Sequence, residues 1–302
     1  MPIANVNGVD IYYELSGPAD APVLVQIMGF GTQMVSWPEE FSDYFLNAGF
    51  RLVRFDNRDV GLSQKFDGVL PDAKAVMQAM ANGQAPPVPY TLSDMSDDVA
   101  ALLRRLNIER AHIAGSSMGG MIAQLVALRH PKVARSLISI MSTTSDQSLP
   151  RSAPEAQAAL MSRPASESKD DVVALGVKNR GIISGRLFDE DVANLRARIG
   201  RVYDRSYYPE GALRHWAAIL SSPPRTEALK QLRVPALVIH GNDDNLIRPE
   251  AGRHTANCIP GSRYVEIDGW GHYMSPAAVP AVADPMIRFM REVDSGRFGL
   301  AA

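Results

Sequence analysis

Cysteine is almost missing from this chain. Cys258 stands alone among 302 residues, which excludes an internal disulfide and a cysteine-ligated metal site. Charge of one sign is not in excess either. Thirty-one Lys and Arg face 33 Asp and Glu, for a net charge of −2 with both signs interspersed. That balance lacks the electrostatic footprint of a nucleic-acid binder and the polybasic patch of a membrane-surface protein. No apolar run reaches the length needed to span a bilayer. The start, Met-Pro-Ile-Ala-Asn, has neither the basic segment nor the apolar core of a secretory signal. Internal repeats and low-complexity tracts are absent. The expectation is a soluble cytoplasmic globular protein, without metal or organic cofactor and with no nucleic-acid or membrane partner. The pattern assigns no oligomeric state.

Hydrophobic residues make up 46% of the chain, enough for one large domain carrying an insertion. Ile3 to Val6 and Val9 to Glu14 alternate around Asn7-Gly8, a strong hairpin signal. Val23 to Met28 is a continuous apolar run, as expected of a strand covered on both faces, and it ends in Met28-Gly29-Phe30-Gly31. Ser36 is read as the N-cap of a helix with Pro38 in its first turn. A strand at Arg51 to Phe55 leads into Asp56-Asn57-Arg58-Asp59-Val60-Gly61-Leu62-Ser63, and residues 64–90 are read as irregular. An amphipathic helix from Leu92 to Leu106, a strand at 111–114, a helix to Arg129 and a strand at Arg135 to Met141 follow. Strand and helix in alternation after a hairpin is the signature of a mostly parallel sheet.

At Ser142 the alternation stops. Amphipathic helices are expected at Asp170 to Val177, Asp189 to Ile199 and Glu210 to Leu220, and no buried strand is apparent across 142–231. This stretch reads as a helical cap, or lid, over a core formed by residues 1–141 and 232–302. The rhythm resumes with a strand at Val234 to His240, a helix at Pro249 to Cys258, a strand at Arg263 to Ile267 and a closing helix at Val279 to Val293. The tail from Ser295 is expected to be mobile.

Gly115-Ser116-Ser117-Met118-Gly119 lies where a strand meets a helix, the context in which G-x-S-x-G means a nucleophile elbow. Residues two before and two after the serine must be nearly free of side chain, which selects Ser117 over Ser116. A chain of this length meets the pattern by accident roughly one time in ten, so the motif needs partners. Of six histidines, His112 and His240 lie in apolar strand runs, His130 ends a helix before a proline, and His215 and His254 are read as surface residues of helices. His272, in the glycine-bounded loop Asp268-Gly269-Trp270-Gly271-His272 after a strand, is the candidate base. Gly241-Asn242-Asp243-Asp244 supplies the acid. Asp244 has the G-x-x-D spacing and is preferred over Asp243, with Asp146 a more distant option. The oxyanion donors are expected to be the backbone N–H groups of Met118 and of Phe30.

These residues resemble the α/β-hydrolase fold family over nearly the whole chain. The resemblance is carried by the Gly29-Phe30 loop, Asp56-x-Arg58-x-x-Gly61-x-Ser63, Gly115-x-Ser117-x-Gly119, Gly241-x-x-Asp244 and Gly269-x-Gly271-His272. Met28-Gly29, the 56–63 run and the His215-containing lid are most similar to the aclacinomycin methylesterase-like branch. The resemblance implies an α/β-hydrolase fold, a Ser117–Asp244–His272 triad, and a structural role for the Asp56–Arg58 run.

The expected activity is hydrolysis of a small-molecule carboxylic ester with a hydrophobic part, through an acyl-enzyme on Ser117. Gly29, Met34, Met141, Trp216, Trp270 and Tyr273 are expected to contact substrate, giving a pocket apolar in character. Two alternatives stand beside this reading. One is carbon–carbon bond hydrolysis of a ring-fission-type diketone by the same triad, which an anion-binding pocket favours. The other is a non-catalytic ligand-binding protein on the same fold.

Overall fold

A computed structural model describes residues 2–187 and 190–299. Eight strands form one sheet: β1 (Ile3–Val6), β2 (Val9–Ser16), β3 (Val23–Ile27), β4 (Arg51–Phe55), β5 (Ala111–Ser116), β6 (Ala134–Ile140), β7 (Ala236–Gly241) and β8 (Arg263–Ile267). Around them run α1 (Glu39–Asn47), α2 (Ala73–Ala81), α3 (Leu92–Arg105), α4 (Met118–Arg129), α5 (Pro154–Met161), α6 (Lys169–Ile183), α7 (Val192–Ser206), α8 (Glu210–Leu220), α9 (Thr226–Leu229), α10 (Pro249–Cys258) and α11 (Val279–Asp294). The chain has the α/β-hydrolase architecture that its sequence pattern leads one to expect.

The strand order is β1-β2-β4-β3-β5-β6-β7-β8; the β1–β2 and β2–β4 pairings are antiparallel and the remaining pairings parallel. The central strands are buried on both faces, which explains their unbroken apolar runs. Alternate residues feed two cores. Val25, Ile27, Val53, Ile113 and Leu137 pack under α3 and α4. Leu24, Leu52, Ala114, Ile138 and Ile239 pack under α1 and α11. In α1, Phe41 and Phe45 are fully buried and stack edge to face, 5.0 Å between centroids. Burying each ring contributes roughly 2 kcal/mol. From β3 the chain turns one way, to β4. From β5 it proceeds the other way, so a crevice opens between the carboxyl ends of β3 and β5, where such sheets collect their chemistry.

Four local expectations change. Ser36 does not cap α1; it ends a short 3₁₀ turn, and Pro38 precedes the helix without a side-chain cap. Residues 64–90 contain α2, capped by Asp72, whose carboxylate accepts the Lys74 N–H. Only Val76 and Ala79 of α2 are buried, so its apolar signal is faint. The helix expected from Asp189 runs in the described residues from Val192, capped by Asp191; Phe188 and Asp189 lie outside the described residues. Beyond α11 the chain folds back rather than trailing. The Arg297 N–H donates to the Glu292 carbonyl, and Phe298 packs edge to face on Phe289 at 5.0 Å. Residues 300–302 of that tail lie outside the described residues. Among the described residues no helix is long and apolar enough to cross a membrane.

Candidate active site

β5 delivers the chain to Ser117, whose backbone sits at φ 56° and ψ −122° before α4 begins at Met118. A non-glycine residue there costs on the order of 1–3 kcal/mol of strain. The turn is held by Ser117 N–H donating to the Ile140 carbonyl at 2.9 Å and by Ser142 Oγ donating to the Ser117 carbonyl at 2.7 Å. Gly115 and Gly119 are obligatory. A Cβ on Gly115 would stand 2.0 Å from the Gly119 oxygen, and one on Gly119 would stand 2.2 Å from the Ile27 oxygen.

β7 and β8 bring up the partners. His272 Nε2 lies 2.9 Å from Ser117 Oγ, and Nδ1 lies 2.7 Å from Asp244 Oδ2. With the proton on Nδ1, it donates to Asp244 and leaves Nε2 free to accept from the serine hydroxyl. Asp244 is fully buried and saturated. Its Oδ1 accepts the Leu246 and Ile247 N–H groups at 2.9 Å each, and His240 Nε2 stands 3.3 Å from Oδ2. Burial alone would push this carboxyl up. The charge of His272 and the hydrogen bonds from His240 and His272 outweigh it and hold the group down at about 2. The adjacent Asp243 points away, paired with Arg186 at 2.5 Å. Asp146 accepts from Ser148 and Thr226. Neither competes for His272.

The His272 loop is bonded to the end of α6. His272 N–H donates to the Ile183 carbonyl at 2.6 Å, Gly271 N–H to Ser184 at 2.9 Å, and Arg186 N–H to Gly269 at 2.9 Å. Gly271 permits this approach, since a Cβ there would meet the Ile183 oxygen at 2.2 Å.

On the other side of Ser117 lies the loop after β3. A Cβ on Gly29 would come within 3.3 Å of Ser117 Cβ, so only a bare backbone passes there comfortably. Phe30 follows, and Met118 is the first residue of α4, where a backbone N–H has no acceptor within the helix. His215 clips this loop down: its Nδ1 accepts the Gly31 N–H at 3.1 Å, and its Nε2–H donates to the Arg58 carbonyl at 2.8 Å. His215 is therefore not a surface residue but fully buried. The face of α8 that carries Arg214 and His215 turns inward. Gly211 lets it approach, since a Cβ there would touch the Asp59 carbonyl at 2.0 Å. Burial holds the His215 ring well below the usual histidine value, at about 4. Half-buried His254 instead sits beside Thr144.

The 56–63 run forms the floor of this loop. Asp56 accepts the N–H groups of Met34 and Leu62, and a Cβ on Gly61 would strike its carboxylate. Arg58 makes a buried bidentate pair with Asp98. Asp59 takes Arg214 at 2.8 and 3.0 Å and the Tyr90 hydroxyl.

A cavity of about 110 Å³ opens over Ser117 and His272. Gly29, Phe30, Met141 and Tyr273 line it, as the sequence suggests. Met34, Trp216 and Trp270 do not. Met34 is buried in the core beneath α1. Trp216 backs Phe30 edge to face at 6.1 Å. Trp270 is fully buried, its indole N–H donating to the Tyr273 carbonyl at 2.8 Å. Trp37, Leu246 and Arg180 also line the cavity, and no motif in the sequence points to them. Arg180 breaks the expectation of an apolar pocket. Nothing in the α6 sequence marked it, because the residue sits in a stretch with no strand to fix its facing. A second chamber of about 300 Å³ continues between α6, α7 and the Thr32–Gln33 loop. Among the described residues no group of three or more His, Cys, Asp or Glu side chains is placed to hold a metal ion.

A strained serine after the fifth strand, with acid and histidine on the loops after the last two parallel strands, is the arrangement of a hydrolase on this fold. The chain belongs to the alpha/beta hydrolase fold family, whose model matches residues 22–276. Among named relatives, rhodomycin D methylesterase from Streptomyces peucetius is 28% identical over 88% of this chain and 89% of its own length. It is of the methylesterase kind that the motifs resemble. A bifunctional esterase/perhydrolase from Acinetobacter calcoaceticus is 26% identical, covering 96% of this chain and 99% of that protein. The solved enol-lactonase from Burkholderia xenovorans LB400 matches with a TM-score of 0.67 at 23% identity, covering 97% of this chain and all of that one.

Proposed function

We propose that this protein is a serine hydrolase that cleaves small-molecule carboxylic esters through an acyl-enzyme on Ser117. The observation that carries the reading is the continuous relay from buried Asp244 through His272 to Ser117 Oγ, at 2.7 and 2.9 Å. His272 Nε2 takes the hydroxyl proton as Oγ adds to the ester carbonyl. The Met118 and Phe30 N–H groups receive the oxyanion. The alcohol leaves with the proton from Nε2, and a water activated by the same nitrogen then releases the acid. Asp244 keeps the ring in the required tautomer. The names of the methylesterase and esterase relatives support this reaction class. Residues 142–231 act as the lid: α5 and α6 supply Leu160, Arg180 and Ile183 to the cavity wall.

Carbon–carbon cleavage of a diketone uses the same three residues, and Arg180 in the cavity wall is the feature that favours it. A purely binding role leaves the strain at Ser117 and the saturated buried Asp244 without purpose. The test is hydrolysis of p-nitrophenyl esters of graded acyl length, with a ring-fission diketone in the same screen. Ser117→Ala should lower turnover by at least about 10⁴-fold, and a fluorophosphonate should label Ser117. Turnover retained in the variant, or no labelling of the native protein, sinks the proposal.

A further inference from the structure

Three charged side chains from the lid stand where the two cavities meet. Arg198 is held by Glu190 and donates to the Ser36 carbonyl at 3.0 Å. Glu190 also accepts the Tyr273 hydroxyl. Arg180 belongs to both cavities, lining the pocket over Ser117 and the outer chamber alike. Its guanidinium lies 4.9 Å from the centroid of the Tyr273 ring, on the residue next to His272. Among the described residues its side chain has no carboxylate within ion-pair distance. Among the described residues Glu190 therefore pairs with Arg198, and Arg180 stands at the passage without an ion-pair partner. Burial lowers the Arg180 guanidinium to about 10; the nearby Arg198 adds to the effect and the Glu190 charge partly opposes it. A half-buried guanidinium offers a fork of N–H donors that matches a carboxylate.

Resting on the Ser117 reading above, we propose that Arg180 is a specificity residue. It holds a carboxylate carried by the substrate itself, so that the ester bond lies at Ser117 and the charged end is fixed at the mouth of the outer chamber. Thr32 and Ser36 border the same passage and give the connecting chain a polar edge. The Tyr273 ring beneath Arg180 keeps the guanidinium from swinging into solvent. The preferred substrates are then half-esters or lactones of acids with a second carboxylate, rather than wholly apolar esters.

The test uses mono-p-nitrophenyl esters of straight-chain dicarboxylic acids from adipate to sebacate, each beside its ω-amide, which differs only in charge. The native protein should prefer at least one acid over its amide at least tenfold in kcat/KM. Arg180→Met should abolish that preference, chiefly through KM for the acid, and Arg180→Lys should restore part of it. Binding of the free dicarboxylate to Ser117→Ala, followed by calorimetry, should weaken at least tenfold when Arg180→Met is added, independently of turnover. Equal losses for acid and amide together with a lowered unfolding midpoint would show Arg180 to be a lid-packing residue and overturn the proposal. So would an acid-to-amide ratio that Arg180→Met leaves unchanged. Failure to hydrolyse either ester series counts against the Ser117 reading, whereas hydrolysis of the amides without preference for the acids counts against Arg180 alone.

Discussion

The helical stretch 142–231 meets the loops at the carboxyl ends of the strands along two seams made of opposite materials. At the His272 loop the seam is backbone on backbone: Ile183, Ser184 and Gly185 lie against Gly269 to His272, with glycines on both sides. At the loop after β3 the seam is side chain on backbone and side chain on side chain. There α8 inserts Arg214 and His215, both fully buried, into the loops after β3 and β4. The backbone seam rests on N–H to carbonyl hydrogen bonds and on the close approach that its glycines allow. The side-chain seam depends on a desolvated ion pair and a neutral imidazole, so it responds to mutation and to acid. Each loop that borders Ser117 is therefore tied to a different helix of the 142–231 stretch, by a different kind of force.

The largest effect should come from breaking the side-chain seam. Arg214→Met leaves Asp59 buried without its cation, a loss of about 3–5 kcal/mol in unfolding free energy. Urea denaturation should register this as a lower midpoint with little change in slope. Adding Asp59→Leu should recover much of the loss, because the orphaned charge is then gone. If the single variant is as stable as the native protein, Arg214 is not what anchors α8.

The seams differ in the same way in how far the sequence discloses them. The strands, the sheet class and the meeting of Ser117, Asp244 and His272 are legible because apolar runs mark the strands and the three residues sit on loops at strand carboxyl ends. Asp243 and Asp244 stay ambiguous in the sequence; the structure separates them through Arg186, a residue distant in the chain. The backbone seam leaves only glycines as its trace, and Gly269 and Gly271 are as easily read as a plain turn. His215 reads as a surface residue because the helical pattern of α8 does not say that its polar Arg214–His215 edge faces the core. Trp270 fills the core rather than the pocket, since its loop turns back on β7, where a Cβ on Gly241 would strike the Trp270 carbonyl. Arg180 is invisible for a related reason: in a strand-free region, a helix's facing is set by its neighbours and not by a sheet.

A smaller effect is expected from the backbone seam. Gly271→Ala forces a Cβ to within 2.2 Å of the Ile183 carbonyl, so the loop or α6 must shift. A displacement of about 1 Å in His272 lowers kcat by roughly 10²-fold. KM for an uncharged ester should move less than kcat, because the groups lining most of the cavity stay in place. Steady-state kinetics on p-nitrophenyl butyrate separates the two. A variant with native kcat and raised KM would show that the seam shapes the lid without positioning the histidine.

The smallest effect distinguishes the seams by pH. His215 is neutral in the folded protein because burial holds its ring at about 4, whereas an exposed histidine protonates near 6.5. A depressed value of this kind contributes stability that is fully present above the unfolded value and is lost as pH falls toward the folded one. Between about pH 6 and 5 the loss should be about 1 kcal/mol. Protonation also turns Nδ1 from acceptor into donor, facing the Gly31 N–H it now receives. His112 is likewise pushed down by burial and adds to the acid sensitivity, so the informative quantity is a difference between proteins. His215→Gln keeps an acceptor and a donor but does not titrate. It should flatten the pH dependence of unfolding free energy by about 1 kcal/mol over that interval, while Gly271→Ala should leave the slope as it is in the native protein. Equal slopes for the native protein and His215→Gln would mean that the loop after β3 is held by something other than the buried imidazole.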